Sequence, residues 1–179
     1  MNINFDKRVL LSLFAVIVGL CNCEAAFAAV QIQPFLCAPK DGSNASWVTV
    51  QGHTVIGITV RQSGDKAGGN FLGLSGVKAS SSVGVTTITN STSSNVFLRL
   101  TLKTSTNQTM TVAPTSSSGN TYRFDLDRYG LKPTALITNM AVFVQNSTGS
   151  PGTIFLGQFV INGTQETNRI YSTGGCLNF

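Results

Sequence analysis

Three stretches in the second half of the chain show the clearest pattern of apolar and polar positions. Apolar and polar side chains alternate from Tyr122 to Leu126, as in a strand with one face on a core and the other in water. The stretches 137–145 and 153–161 are apolar at successive positions, which is typical of strands covered on both faces. Turn-forming residues separate them, at Gly130, Pro133 and 146–152. These features predict three strands joined by loops, the core of an antiparallel β-sandwich.

The rest of the chain predicts further short strands. The stretch 96–103 is the most regular, because its even-numbered positions are apolar while Arg99, Thr101 and Lys103 are polar. Pro34 restricts the first predicted strand to a sheet edge. Strands are predicted at 30–36, 47–50, 54–60, 71–77, 83–89, 96–103, 110–113 and 169–172, with a turn at Gly52 and a polar loop over 61–70. Roughly ten short strands without an amphipathic helix indicate an all-β antiparallel sandwich of the jelly-roll kind.

The first 28 residues have the organisation of a signal peptide. Lys7 and Arg8 precede an apolar run over 9–20, and the sequence Ala-Phe-Ala ends at Ala28. We therefore predict a signal peptide over 1–28 and a single β-sandwich domain over 29–179. A lipoprotein signal at Cys21 is the alternative, but the bulky Leu20 before it argues against this. No second apolar run occurs, so we expect no membrane span and a secreted, periplasmic or cell-surface protein.

Two cysteines, Cys37 and Cys176, remain after residue 28, near the two ends of the domain. In an oxidising compartment such a pair predicts a disulfide, which would close the sandwich. The chain-entropy model gives so long a loop a contribution of about 4–5 kcal/mol. Two free thiols are the alternative.

The charge of the chain bears on its partners. The net charge is +5, and the basic residues are scattered singly over 40–169. Because they form no stripe along one element, we expect no nucleic-acid binding.

Groups suited to catalysis or metal binding are few. Asp125 and Asp127 would share one face of a strand and could form a glycosidase pair or a calcium site, but a strand end with a local turn is the preferred interpretation. His53, the one histidine, is expected to be a surface residue beside a turn. Asp41 and the loop to Asn44 supply a single carboxylate for a cation. We therefore expect no enzyme activity, no metal site and no cofactor.

Ligand binding has more candidates. Sugars are held by aromatic faces and by hydrogen-bonding side chains, so Trp47, Tyr122 and Tyr129 are candidate platforms. Arg99 and Arg123 are the main candidate partners for hydroxyls, with Arg61 and Gln158 beside them. Structural roles compete with these: Trp47 as a rim or core anchor, Tyr122 as a core or edge residue, and Arg99 as a solvated strand residue.

Three segments carry a resemblance to a known family. They are YRFDL (122–126), ITNMAVFV (137–144) and GTIFLGQFVING (152–163). Their order of apolar positions resembles the second half of galactose-binding-like jelly rolls, which occur among non-catalytic carbohydrate-binding modules. The resemblance implies a sandwich and a sugar-binding role. The closing strand of that family often carries an Asp where this chain has Gln158, so the resemblance implies no calcium contact here.

Together these features predict a non-enzymatic, monomeric binding module whose partner is a glycan or a surface protein. Carbohydrate at a cell or matrix surface is the leading expectation. The alternative is a structural envelope subunit or fimbria-like adhesin that assembles through strand edges. A small hydrolase is a third, disfavoured by the lack of acid–base groups.

Overall fold

The computed structural model describes residues 29–37, 42–88 and 96–177. The predicted signal peptide lies outside these residues. The strands are β1 (Gln31–Cys37), β2 (Asn44–Val50), β3 (His53–Val60), β4 (Lys66–Leu72), β5 (Ser82–Ile88), β6 (Val96–Thr104), β7 (Thr109–Val112), β8 (Ser116–Ser118), β9 (Thr121–Asp125), β10 (Ile137–Asn146), β11 (Gly152–Ile161), β12 (Thr164–Glu166) and β13 (Asn168–Arg169). One 3-10 helical turn, Leu126–Tyr129, follows β9. No helix in the described part of the chain is long and apolar enough to cross a membrane.

The strands form two sheets that pack face to face. The first sheet has the order β13-β1-β4-β10-β6-β7, and the second has β2-β3-β11-β5-β9-β8 with β12 added beside β11. Every pairing is antiparallel except that of β13 with β1. The predicted all-β antiparallel sandwich is therefore confirmed.

The core lies between the sheets and contains residues of both. Phe71 of the first sheet meets Phe159 of the second edge to face, with ring centroids 5.7 Å apart. Phe71, Phe124 and Phe159 are all fully buried. Burying an aromatic side chain of this size stabilises the fold by about 1.5–3 kcal/mol, so these rings help to fix the two sheets against each other.

One predicted loop is in fact a central strand. The stretch 61–70 was expected to be polar loop, but β4 begins at Lys66 and pairs with both β1 and β10. The glycines that suggested a loop permit close packing here. A Cβ on Gly68 would lie 2.6 Å from the Phe143 Cα, and one on Gly69 would lie 3.0 Å from the Phe159 ring. Glycine in a strand interior often marks such a close approach.

The strand predicted at 71–77 is wrong after its first two residues, because β4 ends at Leu72. Gly73 and Gly76 then adopt positive φ angles of 74° and 83°, which turn the chain. The other predicted strands are found within a few residues of their expected ends. The strands β6 and β7 pair with each other. Burial on both faces is found in β10 from Met140 to Val144, whereas Thr138 and Asn139 are exposed. The outward side of β11 is half-buried or exposed.

The C-terminal segment 168–177, which we call the strap, runs along β1. Asn168 and Arg169 pair with β1 in parallel, and farther on the Gly174 N–H donates to the Pro34 carbonyl at 2.8 Å. Pro34 thus lies in a strand that is paired on both sides, and not at the sheet edge that was predicted. Proline is tolerated here because the strap bonds to its carbonyl and needs no N–H from it. The predicted disulfide is present: Cys37 and Cys176 are joined, with their Cα atoms 4.4 Å apart.

Candidate binding cleft

A cleft opens in the second sheet where β3 and β11 separate. The two strands pair from Ile56–Val60 to Gly152–Leu156, but no pairing continues to the first residues of β3. The register of β11 against β5 shifts between Leu156 and Phe159, which marks an irregularity of the β-bulge kind. There the Gln158 N–H donates to the Thr86 Oγ1 at 2.8 Å. Beyond this point β12 occupies the side of β11 that β3 has left.

The space between the separated strands is a cavity of about 480 Å³, which we call the β3–β11 cleft. Its lining includes Trp47, His53, Thr86, Gln158, Glu166 and Arg169. These side chains come from six different strands, five of the second sheet together with β13 of the strap. Cavities of about 300–1,000 Å³ are usual for small-ligand sites.

Trp47 forms a fixed wall of the cleft. It lies opposite Ile56 in the β2–β3 ladder, on the side that faces the core. Its indole Nε1–H donates to the Ile170 carbonyl at 2.8 Å, the Arg169 guanidinium lies 5.4 Å from its ring, and Tyr171 packs beside it with centroids 6.3 Å apart. A satisfied indole N–H and a cation over the ring hold the side chain in place.

The remaining lining is mostly polar. Gln158 and Gln165 carry amides that both donate and accept, His53 adds an imidazole, and Glu166 adds a carboxyl group. Burial raises the pKa of the Glu166 carboxyl above its ordinary value, because desolvation disfavours the charged form. Among the described residues that line the cleft, Glu166 is the one carboxylate, so no acid pair is present there. No group of three metal-ligating side chains occurs in the described residues either.

Of the five predicted ligand-binding residues, Trp47 lies in the cleft and the other four lie elsewhere. Arg99 is on β6 of the first sheet, where its guanidinium lies over Phe97. The Arg123 Nε is 2.5 Å from the Asp125 Oδ1, in an ion pair. Tyr122 is partly buried against the core, and the Tyr129 hydroxyl donates to the Ala113 carbonyl at 2.6 Å. The structure therefore does not bring the five residues together.

The two aspartates that could have formed a pair do not share a strand face. The strand β9 ends at Asp125, and Asp127 lies in the 3-10 turn. The Asp125 carboxylate is held by Arg123, by Arg128 at 3.8 Å and by the Thr115 hydroxyl at 3.2 Å. The hydrogen bond from Arg123 is the main cause that lowers the pKa of Asp125. The strand end and local turn of the preferred interpretation are therefore present.

Several cleft residues were not expected. His53 is exposed beside the Gln51–Gly52 turn, as predicted, and it also lines the cleft. No pattern in the sequence pointed to Glu166 or Arg169. Gln158, a candidate partner for sugar hydroxyls, lines the cleft. Arg61, also considered, instead donates from Nε to the Gly42 carbonyl at 3.0 Å. Asp41, the carboxylate of the possible cation loop, lies outside the described residues.

Comparisons with known proteins give no family. No protein-family model matches the chain, and neither does any curated protein. Two solved structures show a weak likeness. One is VP5 from Haloarchaeal pleomorphic virus 2, 18% identical over 70% of this chain and 26% of that one, with a TM-score of 0.27. The other is HRPV6 VP5 fitted in the cryoEM density of the spike, 12% identical over 77% and 31%, also at 0.27.

A likeness at this TM-score supports no conclusion about this chain, which spans less than a third of either VP5. The sandwich expected from the jelly-roll resemblance is present. Membership of the carbohydrate-binding family stays a prediction.

Proposed function

We propose that this protein is a non-enzymatic binding module and that its β3–β11 cleft binds a carbohydrate. The observation that carries the proposal is the convergence of one aromatic wall, Trp47, with amide, imidazole and carboxyl groups around an open cavity of about 480 Å³. Sugars present apolar ring faces and many hydroxyls that both donate and accept. A lining of this composition matches both properties.

The cleft favours binding over catalysis. Hydrolysis of a glycosidic bond by the usual route requires two carboxyl groups on opposite sides of the bond. Among the described lining residues, Glu166 is the one carboxylate. We therefore propose that the ligand is held and released unchanged.

A glycan array with the purified protein tests this proposal, using the variants Gln158→Ala and Arg169→Ala. The matched control is Gln108→Ala, because Gln108 is exposed and lies in the β6–β7 turn on the other sheet. We expect selective binding that both cleft variants lose and that Gln108→Ala retains, with all proteins folded by circular dichroism. Selective binding that survives both cleft substitutions would place the site elsewhere, and no binding to any glycan would refute the function.

Assembly through a strand edge is the second candidate, and one observation favours it. The seven-residue strand β2 pairs with β3 on one side, and on the other side the described contacts include one strap bond, from the Thr173 hydroxyl to the Ala45 carbonyl at 2.7 Å. An edge of this length can accept a strand from another chain.

Light scattering after size-exclusion chromatography tests the edge. If β2 mediates assembly, the protein is larger than a monomer, and Thr49→Pro returns it to a monomer. Thr49 suits this purpose because hydrogen-bonded pairs alternate along β2–β3 and its N–H points away from β3. A monomer at all concentrations would exclude the edge and agree with the expected monomeric state.

A further inference from the structure

The outer face of the first sheet carries positive charge, and its described strands place no carboxylate side chain on it. Lys66 on β4 and Arg99 and Lys103 on β6 all project from this face, opposite the core residues of the same strands. No Asp or Glu occurs in β1, β4, β6, β7 or β10. Both ion pairs among the described residues involve Asp125, which lies on the second sheet.

Aromatic rings hold two of these cations in place. The Lys66 ammonium lies 5.7 Å from the centroid of Phe143, and the Arg99 guanidinium lies 5.5 Å from that of Phe97. Phe143 and Arg99 are neighbours in the β10–β6 ladder. Cation–π contact orients a positive group but does not neutralise it, so both cations stay available to an anion.

A shallow pocket of about 110 Å³ lies on the same face. Its floor is apolar, since Phe35 and Phe143 are buried there beside Ala141. Lys66 and the hydroxyl-bearing Thr101 and Thr111 line its sides. An apolar floor next to an ammonium and two hydroxyls suits a ring that carries a carboxylate and hydroxyl groups.

The three cations are too far apart for one small anion. Lys66 and Arg99 are two strands and two residues apart, which places their backbones about 12 Å from each other, and Arg99 and Lys103 are about 13 Å apart along β6. A chain with repeated anionic groups can contact all three. We propose that this face binds an acidic polysaccharide, with its carboxylates at Lys66, Arg99 and Lys103 and a sugar ring over the pocket.

An anionic membrane is the competing partner, and the face suits it less well. Clusters that bind anionic lipid usually hold about four to eight cations. This face has three in its described strands, and Phe97, 46% exposed, is its one exposed large apolar side chain. The proposal does not depend on the β3–β11 cleft, which is in the other sheet.

Biolayer interferometry with immobilised polygalacturonate tests the proposal, with neutral dextran and phosphatidylserine vesicles as parallel surfaces. The key variant is Lys66→Gln with Lys103→Gln. Its matched control is Lys78→Gln with Lys132→Gln, which removes the same charge from exposed positions off this face. Gln158→Ala separates this site from the cleft.

We expect binding to polygalacturonate and not to dextran, and weaker binding as salt concentration rises. The face variant should lose about tenfold in affinity, while the control variant and Gln158→Ala change by less than about threefold. Equal losses in the two double variants would show a net-charge effect and overturn the proposal. Equal binding to dextran, or binding to vesicles without binding to the polymer, would overturn it as well.

Discussion

The two halves of the β3–β11 contact differ although they involve the same two strands. From Val60 to Ile56 the strands form a continuous antiparallel ladder, and the residues of β11 that take part alternate between buried and half-buried. Past Leu156 the ladder stops and the cleft begins. The comparison shows that the β3–β11 ladder ends where β11 becomes irregular, and that the cavity begins at the same point.

The irregularity has an identifiable cause at Gly157. A Cβ on this residue would lie 2.8 Å from the Thr86 Oγ1. Because Gly157 has no side chain, the Thr86 hydroxyl can approach the backbone and accept the next N–H, that of Gln158. A side-chain hydroxyl thus replaces a carbonyl of the ladder, at the point where β3 and β11 stop pairing.

The largest expected effect is on stability, and it should differ between the paired half and the open half of the β3–β11 contact. Leu156→Ala removes a side chain that is 0% exposed, so we expect a loss of about 2–5 kcal/mol in the free energy of unfolding. Gln158→Ala, in the open half, should change it by less than about 0.5 kcal/mol, since its side chain is exposed. Urea unfolding followed by tryptophan fluorescence measures both. Similar losses would show that the open half also supports the fold.

A smaller effect is expected at the irregularity itself. Gly157→Ala forces the Thr86 hydroxyl to move, and we expect a loss of about 1–3 kcal/mol with weaker glycan binding. Gly84→Ala is the matched control on the neighbouring strand, because its Cβ would meet the Val160 Cβ at an ordinary 3.6 Å. That substitution should be neutral or stabilise by about 0.4–1 kcal/mol. The two variants are compared by thermal and urea unfolding, and equal effects would contradict the role given to Gly157.

The smallest effect concerns pH. The pKa of Glu166 is raised in the folded protein, so the folded state holds its proton more firmly than the unfolded state. The resulting stability is present below the ordinary Glu pKa and is lost as pH rises through the folded value. Glu166→Gln should therefore show a smaller fall in unfolding free energy than the parent as the pH rises above the ordinary Glu pKa.

Asp125 provides the opposite case as a control for that measurement. Its pKa is lowered, so its contribution is present above the ordinary Asp pKa and is lost as pH falls. Asp125→Asn should flatten the acid side of the profile only. If Glu166→Gln leaves the profile of the parent unchanged, Glu166 does not experience the burial assigned to it.

The sequence was sufficient to predict most strands and the sandwich, because the alternation of apolar and polar residues is a local pattern. It was sufficient for the disulfide because two cysteines can pair in only one way. It failed at β4, where Gly68 and Gly69 look like loop residues. Their real function is to let β10 and the opposite sheet approach closely, and that requirement comes from residues far along the chain.

The site was predicted less well for the same kind of reason. Trp47 and Gln158 stand out by residue type, and both line the cleft. Glu166 and Arg169 acquire a role only because β12 turns back beside β11 and the strap crosses Trp47. Arg123 is the opposite case: its residue type suggested ligand binding, but its side chain forms an ion pair with Asp125. The local spacing of residues in the sequence does not show which of them become neighbours through strand register, or through a later segment that folds back.

The strap gives the cleft a place in the order of folding. Trp47 is held by Arg169, Ile170 and Tyr171, and the cysteine that ties the strap to β1 is residue 176 of 179. A chain that lacks the strap can pair β2 with β3 but cannot complete the wall around Trp47. That wall therefore forms only once the strap has packed beside β1, and a chain truncated before residue 168 would retain most strands without it.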